Sequence, residues 1–170
     1  MTSHLPERLD LYTAAEAGRM LTGRIALASL ERVLPLVVSR ETELGVILKL
    51  GTDQDGTRYL CGSIRGVLEL QCQRCLESME YPLAIRFRLG LVRDQDAADR
   101  LADRYEPLIV TREPASVADV VSDEVLLALP IAPAHADPDK CHEATAKYHA
   151  SSGPQRENPF AVLEQLKQKQ

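Results

Sequence analysis

Alternation of apolar and polar residues marks the strands of this chain, and it is clearest over residues 81–92. There every second residue from Leu83 to Leu91 is apolar, whereas Arg86 and Arg88 occupy positions between them. Side chains two residues apart share one face of a strand, so the pattern predicts a core face and a face exposed to solvent or a partner. Strand-like residues 44–50 and 58–64 flank a run of turn formers at 51–56, which favours a hairpin. We therefore predict a mostly antiparallel sheet over residues 23–92.

Helical spacing replaces this alternation later in the chain. Ser116 is placed to cap a helix over residues 116–129, and Pro130 follows it. One face of that helix carries an apolar stripe formed by Val117, Val120, Val121, Val125 and Leu129. Shorter helices are predicted at 12–20 and 94–104, and a short strand at 107–111. The combination predicts an α+β fold in which the helix at 116–129 packs on the sheet.

The end of the chain has a different composition. Residues 134–157 are rich in His, Asp, Ala, Ser and Pro and have no core pattern, which predicts a flexible loop. Asn158 and Pro159 then favour the start of a short C-terminal helix. A chain of 170 residues has the length of one ordinary domain. We therefore predict a single domain with a mobile segment before its last helix.

Charge is unevenly distributed along the chain. The formal net charge of -5 argues against a protein that coats nucleic acid through a globally basic surface. Residues 49–93 hold seven Lys and Arg against five Asp and Glu, or +2, whereas residues 94–143 hold four against twelve, or -8. This division suits a protein that contacts RNA with one face and a basic protein with another. A solvated acidic surface is the simpler alternative.

No stretch of about 18 apolar residues is present, and Glu7, Asp10 and Glu16 interrupt the region where a signal peptide needs an apolar core. We therefore expect a cytoplasmic protein with no membrane segment. Because the cytoplasm is a reducing compartment, its cysteines are better interpreted as metal ligands or free thiols than as disulfides.

The spacing of Cys72 and Cys75 has a direct chemical use, because two thiolates two residues apart in a turn can bind one Zn²⁺. Two further ligands would close the site, and the candidates are Cys141, His142 and His135. Two ordinary thiols in a turn would explain the pair equally well. A thiol redox enzyme is a third interpretation, but no long amphipathic helix follows the pair. Cys61 lies in a strand pattern and is predicted to be a small core residue.

Other signals of chemistry are weak. The histidines stand in no recognisable catalytic frame, and no nucleophile elbow or phosphate-binding glycine loop occurs. Five Tyr, two Phe and no Trp leave little for base stacking, so any RNA contact would use phosphates. The candidate contacts are Arg65, Arg74, Arg86 and Arg88, although each could also be an ordinary exposed arginine.

Four segments together resemble the successive signatures of the YceD family and extend over roughly residues 65–167. They are Leu70-Gln71-Cys72-Gln73-Arg74-Cys75-Leu76, Tyr105-Glu106-Pro107-Leu108, Ser122-Asp123-Glu124-Val125-Leu126-Leu127-Ala128-Leu129-Pro130 and Asn158-Pro159-Phe160-Ala161-Val162-Leu163. The resemblance implies a ribosome biogenesis factor needed for accumulation of the large-subunit (23S) ribosomal RNA. It implies no catalytic residues, and hence not an enzyme.

The resemblance also implies metal and nucleic-acid binding. The family's cysteine pair falls on Cys72 and Cys75, and its later His and Cys fall on His135 and Cys141. The implied partner is the large-subunit ribosomal RNA precursor or a basic ribosomal protein. The alternative function is a small zinc- or thiol-dependent enzyme that uses the Cys72 and Cys75 pair.

Overall fold

The structure is a computed structural model that describes residues 5–111 and 114–149. Seven strands and four α-helices follow one another along these residues. In chain order they are β1 (Arg8–Leu9), α1 (Leu11–Glu16), β2 (Met20–Ala26), β3 (Glu43–Thr52), β4 (Arg58–Gln71), β5 (Ser78–Val92), α2 (Gln95–Asp99), β6 (Glu106–Ile109), β7 (Ala115–Ser116), α3 (Val117–Ala128) and α4 (Pro138–His149).

Five of the strands form one sheet in the order β2-β3-β4-β5-β6. The pairs from β2 to β5 are antiparallel, and β6 joins the edge parallel to β5. The remaining strands, β1 and β7, form a separate two-stranded antiparallel ribbon. The predicted α+β class with a mostly antiparallel sheet is confirmed. The sheet begins three residues earlier than predicted and gains β6 as an edge strand.

The core lies between one face of this sheet and a layer formed by α1, α3 and residues 27–33. On β3 the alternation is complete, with Leu44, Val46, Leu48 and Leu50 buried and their neighbours at 43, 45, 47 and 49 exposed. The helix begins where predicted, because Ser116 Oγ accepts a hydrogen bond from the Asp119 N–H at 3.2 Å. Apolar burial by β3, β4, β5, α1 and α3 is therefore the main contribution to the stability of this fold.

Two short helices and one cysteine differ from their predictions. The helix predicted at 12–20 forms as α1 but ends at Glu16, and Asp10 caps it, since its carboxylate accepts from the Thr13 N–H at 2.8 Å. α2 has only five residues, because its acidic and alanine-rich sequence has no apolar face to pack. The prediction of Cys61 as a core residue is wrong, since it pairs with Lys49 and Arg88 on the exposed side of the sheet.

The chain divides into two compact units, residues 1–134 and 135–170. In the second unit the structure forms α4 inside the segment 134–157, which was predicted to be a loop. Local polar groups explain the difference. Asp137 directly precedes the helix, and its carboxylate accepts from the Asp139 N–H at 3.0 Å, which satisfies a backbone donor of the first turn. The predicted helix from Asn158 lies outside the described residues, and the mobility of 134–157 stays a prediction.

A search of the described helices finds none with the length and apolar content needed to cross a membrane.

Candidate metal centre and nucleic-acid interface

The turn between β4 and β5 holds the first two candidate metal ligands. The Cys72 N–H donates to the Glu77 carbonyl, and the Leu76 N–H donates to the Cys72 carbonyl, both at 2.9 Å. Leu76 adopts a positive φ of 63°, which closes the turn in a left-handed conformation that non-glycine residues rarely adopt. Both thiols are buried, with residue exposures of 0% for Cys72 and 4% for Cys75. The turn thus presents two sulfur atoms on its inner side.

A backbone hydrogen bond also reaches one of these sulfur atoms. The Arg74 N–H lies 3.4 Å from Cys72 Sγ and donates to it. Such N–H groups stabilise negative charge on sulfur, as is required of a metal-bound thiolate. The side chain of Arg74 itself is exposed.

The same turn fixes a distant part of the chain. The Gln73 N–H donates to the Pro133 carbonyl at 2.8 Å. His135 follows Pro133 by two residues, and two extended residues span at most about 7 Å. Chain connectivity alone therefore keeps the third candidate ligand near the cysteine turn.

Cys141, the fourth candidate ligand, lies in α4 and is 7% exposed. Its Sγ atom is 3.5 Å from Nδ1 of His135. The ligand atoms of Cys72, Cys75, His135 and Cys141 all lie within 4.8 Å of one another, close enough to hold a metal ion. A tetrahedral site with Zn–S bonds of about 2.3 Å places its sulfur atoms about 4 Å apart, so this cluster has suitable dimensions.

The cluster includes both His135 and Cys141, where the sequence had left open which of the two would be used. Three sulfur ligands and one imidazole form a complete donor set for Zn²⁺, of the kind found in structural sites. The position of the His142 side chain lies outside the described residues, so its candidacy stays a prediction.

The second candidate site is the exposed face of the sheet. Residues directly opposite each other on neighbouring strands project to the same face. One such row contains Lys49, Cys61 and Arg88, and the next contains Ile47, Ser63 and Arg86. A third row contains Arg24, Gly45, Arg65 and Ala84. We call these three rows, completed by Met20 and Thr22 on β2, the outer face.

Three of the four predicted arginines thus come together on the outer face, and Arg74 does not. Arg65, Arg86 and Arg88 are exposed and form no ion pair within the described parts of the chain. Arg24 pairs with Glu43 at 3.2 Å. Carboxylates occupy the opposite end of the same side, where Glu69 lies opposite Glu80 near the cysteine turn. Positive charge is therefore concentrated at one end of this side of the sheet.

Lys49 and Arg24 also belong to the outer face, although the sequence analysis did not name them as candidates. The alternation in β3 does place Lys49 on a polar face of its own strand. Alternation within one strand cannot show that this face continues the face bearing Arg86, because the register between strands depends on long-range pairing.

Comparisons with known proteins relate this chain to one family. Residues 60–167 match the model of a family described as large ribosomal RNA subunit accumulation protein YceD. The chain is also 31% identical over 170 residues to the large ribosomal RNA subunit accumulation protein YceD of Haemophilus influenzae, with 97% of each chain covered. No solved structure was found to match.

Proposed function

The chain belongs to the YceD family, and we propose that it supports accumulation of large-subunit ribosomal RNA as a binding protein rather than as an enzyme. The observation that carries this proposal is the outer face, where Arg65, Arg86, Arg88 and Lys49 lie exposed on three neighbouring strands. We propose that these side chains contact the phosphates of the precursor RNA.

The chemistry of the outer face favours contact with the RNA backbone rather than with bases. Its three rows contain no aromatic residue on which a base could stack. Arginine forms bidentate hydrogen bonds with phosphate oxygens, and its charge releases counterions from the nucleic acid. Such contacts position RNA without reading its sequence, and a local basic face is compatible with a net charge of -5.

Ultraviolet crosslinking in growing cells tests this proposal. Tagged full-length protein is crosslinked and purified, and both the attached RNA and the crosslinked peptides of the protein are identified. We expect large-subunit precursor sequences on the RNA side and peptides of β3, β4 and β5 on the protein side. Crosslinks restricted to messenger or transfer RNA would contradict the proposal, and so would crosslinks that all map to α3.

We further infer that Cys72, Cys75, His135 and Cys141 bind one Zn²⁺ ion. The geometric support is the 4.8 Å limit on the separation of their ligand atoms, and the chemical support is the donor set. Four protein ligands leave no open coordination position for a substrate, which argues for a structural ion over a catalytic one. The thiol or zinc enzyme is accordingly the less supported alternative.

Elemental analysis of protein purified without chelator tests the zinc inference. We expect about one Zn²⁺ per chain, released by strong chelators and by acid because protons compete for the ligands. Cys72→Ser should lose the ion and lower the melting temperature, whereas Cys61→Ser is the matched control and should change neither. Less than about 0.1 Zn²⁺ per chain in the wild type would contradict the inference, since one site requires one ion.

The same variants separate a binding protein from an enzyme. A redox enzyme that depends on the cysteine pair loses turnover when either thiol is removed, even if its fold survives. A structural zinc site loses stability first, and RNA accumulation falls only as far as the folded fraction falls. Loss of RNA accumulation in a Cys75→Ser strain whose protein is as abundant and as stable as the wild type would favour the enzyme.

A further inference from the structure

A buried carboxylate on α3 has no role in the proposed function. Glu124 is only 7% exposed, and it lies one helical turn after Val120 and Val121 on the face that packs against the sheet. Glutamate is almost never fully buried unless it is paired. Within the described parts of the chain, however, no hydrogen bond or ion pair to its carboxylate occurs.

The charged groups around Glu124 increase the cost of its ionisation. Burial raises its pKa most, and the nearby carboxylates of Glu106 on β6 and Asp123 on α3 raise it further, to about 7. Arg32 is the cation nearby, but its guanidinium pairs with Asp123. The neighbouring β5 contributes the apolar Leu89. The fold therefore maintains a carboxylate that its own packing disfavours.

Glu124 lines a cavity of about 310 Å³ between α3, β5 and β6. Its walls are mainly aliphatic and include Leu89, Leu108 and Val120, and Leu127 is 76% exposed. A lysine or arginine side chain has an apolar stem and a charged end, which matches aliphatic walls and a buried carboxylate. The cavity is large enough for one such side chain but too small for a folded element.

We propose that this cavity, here called the Glu124 cleft, binds the lysine or arginine side chain of a basic protein segment. RNA is disfavoured as the occupant because its phosphates would face Glu124, Glu106 and Asp123. A metal ion is disfavoured because, among the described residues, the cysteine and histidine cluster is the only group of three or more potential ligands whose atoms lie close enough to share one. The proposal is independent of RNA binding by the outer face.

Peptide titration of the isotope-labelled full-length protein, followed by NMR, tests the proposal. The probe is acetyl-Leu-Arg-Leu-amide, and the matched probe carries citrulline, which keeps the shape of arginine but lacks its charge. We expect the arginine peptide to shift backbone signals of Leu108, Val120 and Glu124 as binding saturates. The citrulline peptide should bind at least about tenfold more weakly, because it leaves the buried carboxylate without a cation.

Two variants assign this binding to the cleft. Glu124→Gln should lower the affinity for the arginine peptide by at least about tenfold. Asp96→Asn makes the same charge change on α2 and should leave that affinity within about twofold of the wild-type value. Equal loss in both variants would show only a general charge effect and overturn the proposal. Unchanged affinity in Glu124→Gln, or equal binding of the citrulline peptide, would also overturn it.

Spermidine and a short RNA hairpin identify other occupants. If spermidine shifts the same signals with the affinity of the arginine peptide, the cleft binds small cations and the assignment to a protein segment is wrong. If the hairpin displaces the arginine peptide from the Glu124 signals, the cleft belongs to an RNA surface and the proposal fails. If any of these titrations contradicts the proposal for the cleft, the crosslinking test of the outer face is unaffected.

Discussion

The outer face and the Glu124 cleft are both built on the same sheet, but they carry charge in opposite ways. On the outer face, Arg65, Arg86 and Arg88 are exposed on three rows that cross the strands. In the cleft, Glu124 is only 7% exposed, lines the cavity and has Glu106 and Asp123 as electrostatic neighbours. One region presents several solvated cations, and the other buries an anion.

This difference indicates two kinds of partner. Solvated arginines cost little to maintain and can contact a long polyanion at several points, with each contact weak and sensitive to salt. A buried carboxylate costs stability and is compensated best by one cation placed directly beside it. The outer face thus suits RNA, whereas the cleft suits a single basic side chain.

The largest expected effect separates the core side of α3 from the outer face. Val121 is fully buried, and Val121→Asp would place an uncompensated carboxylate in the core at a cost of about 3 kcal/mol or more. Ala84→Asp introduces the same side chain on the outer face, where Ala84 is exposed, and should cost less than about 1 kcal/mol. Urea denaturation of both variants measures the difference.

Similar stability losses in the two variants would mean that the sheet is not buried on one side only. A wild-type melting temperature for Val121→Asp would show that this face of α3 does not pack in the core.

The sequence predicted the parts of the fold that depend on local periodicity. Alternation in β3 and β5 and the cap at Ser116 are local, and the sheet and α3 form close to their predicted bounds. α4 was not predicted, because its sequence is stabilised by polar contacts near Asp137 rather than by an apolar stripe. The periodicity criterion does not detect such a helix.

The candidate sites were only partly predictable, for a related reason. Spacing identified Cys72 and Cys75, but joining them to His135 and Cys141 in one cluster required the fold or the family resemblance. Glu124 had a readable signal, since it follows Val120 by four residues and Val121 by three and so falls on the apolar stripe. The predicted apolar stripe did not include it. A charged residue that falls within an apolar stripe thus indicates a candidate site.

A smaller effect concerns the cost of burying Glu124. Its pKa rises from 4.5 to about 7 on folding, so between these pH values the folded protein keeps a proton that the unfolded chain has lost. Stability therefore falls as pH rises through this window, by up to about 3 kcal/mol in total above pH 7. Glu124→Gln removes this loss and should be more stable than the wild type at pH 8, with little advantage at pH 4.

Melting temperatures of both proteins between pH 4 and pH 8 measure this linkage. Asp96→Asn is again the control, because it makes the same charge change at an exposed site on α2. A constant difference between Glu124→Gln and wild type across the range would show that Glu124 does not change its protonation on folding. Greater stability of the wild type at pH 8 would mean that the carboxylate is compensated inside the chain.

The smallest effect on stability, and the sharpest test of the outer face, comes from the double variant Arg86→Ala, Arg88→Ala. Both side chains are exposed without an ion pair in the described structure, so the free energy of unfolding should change by less than about 0.5 kcal/mol. Each lost phosphate contact lowers the slope of log affinity against log salt by about 0.7 to 0.9, so two should lower it by about 1.4 to 1.8. Filter binding to a large-subunit precursor fragment at several salt concentrations measures this slope.

The control for that measurement is Arg40→Ala, Arg100→Ala, which removes the same charge from exposed positions outside the strands of the sheet. If net charge alone governs binding, both double variants lose the same slope, because counterion release would then be insensitive to position. If the outer face is the contact, only the Arg86 and Arg88 variant has a shallower slope of log affinity against log salt. In that case Glu124→Gln should bind RNA as the wild type does. That pattern requires two separate surfaces of opposite charge, since one shared surface would make RNA binding respond to Glu124 as well.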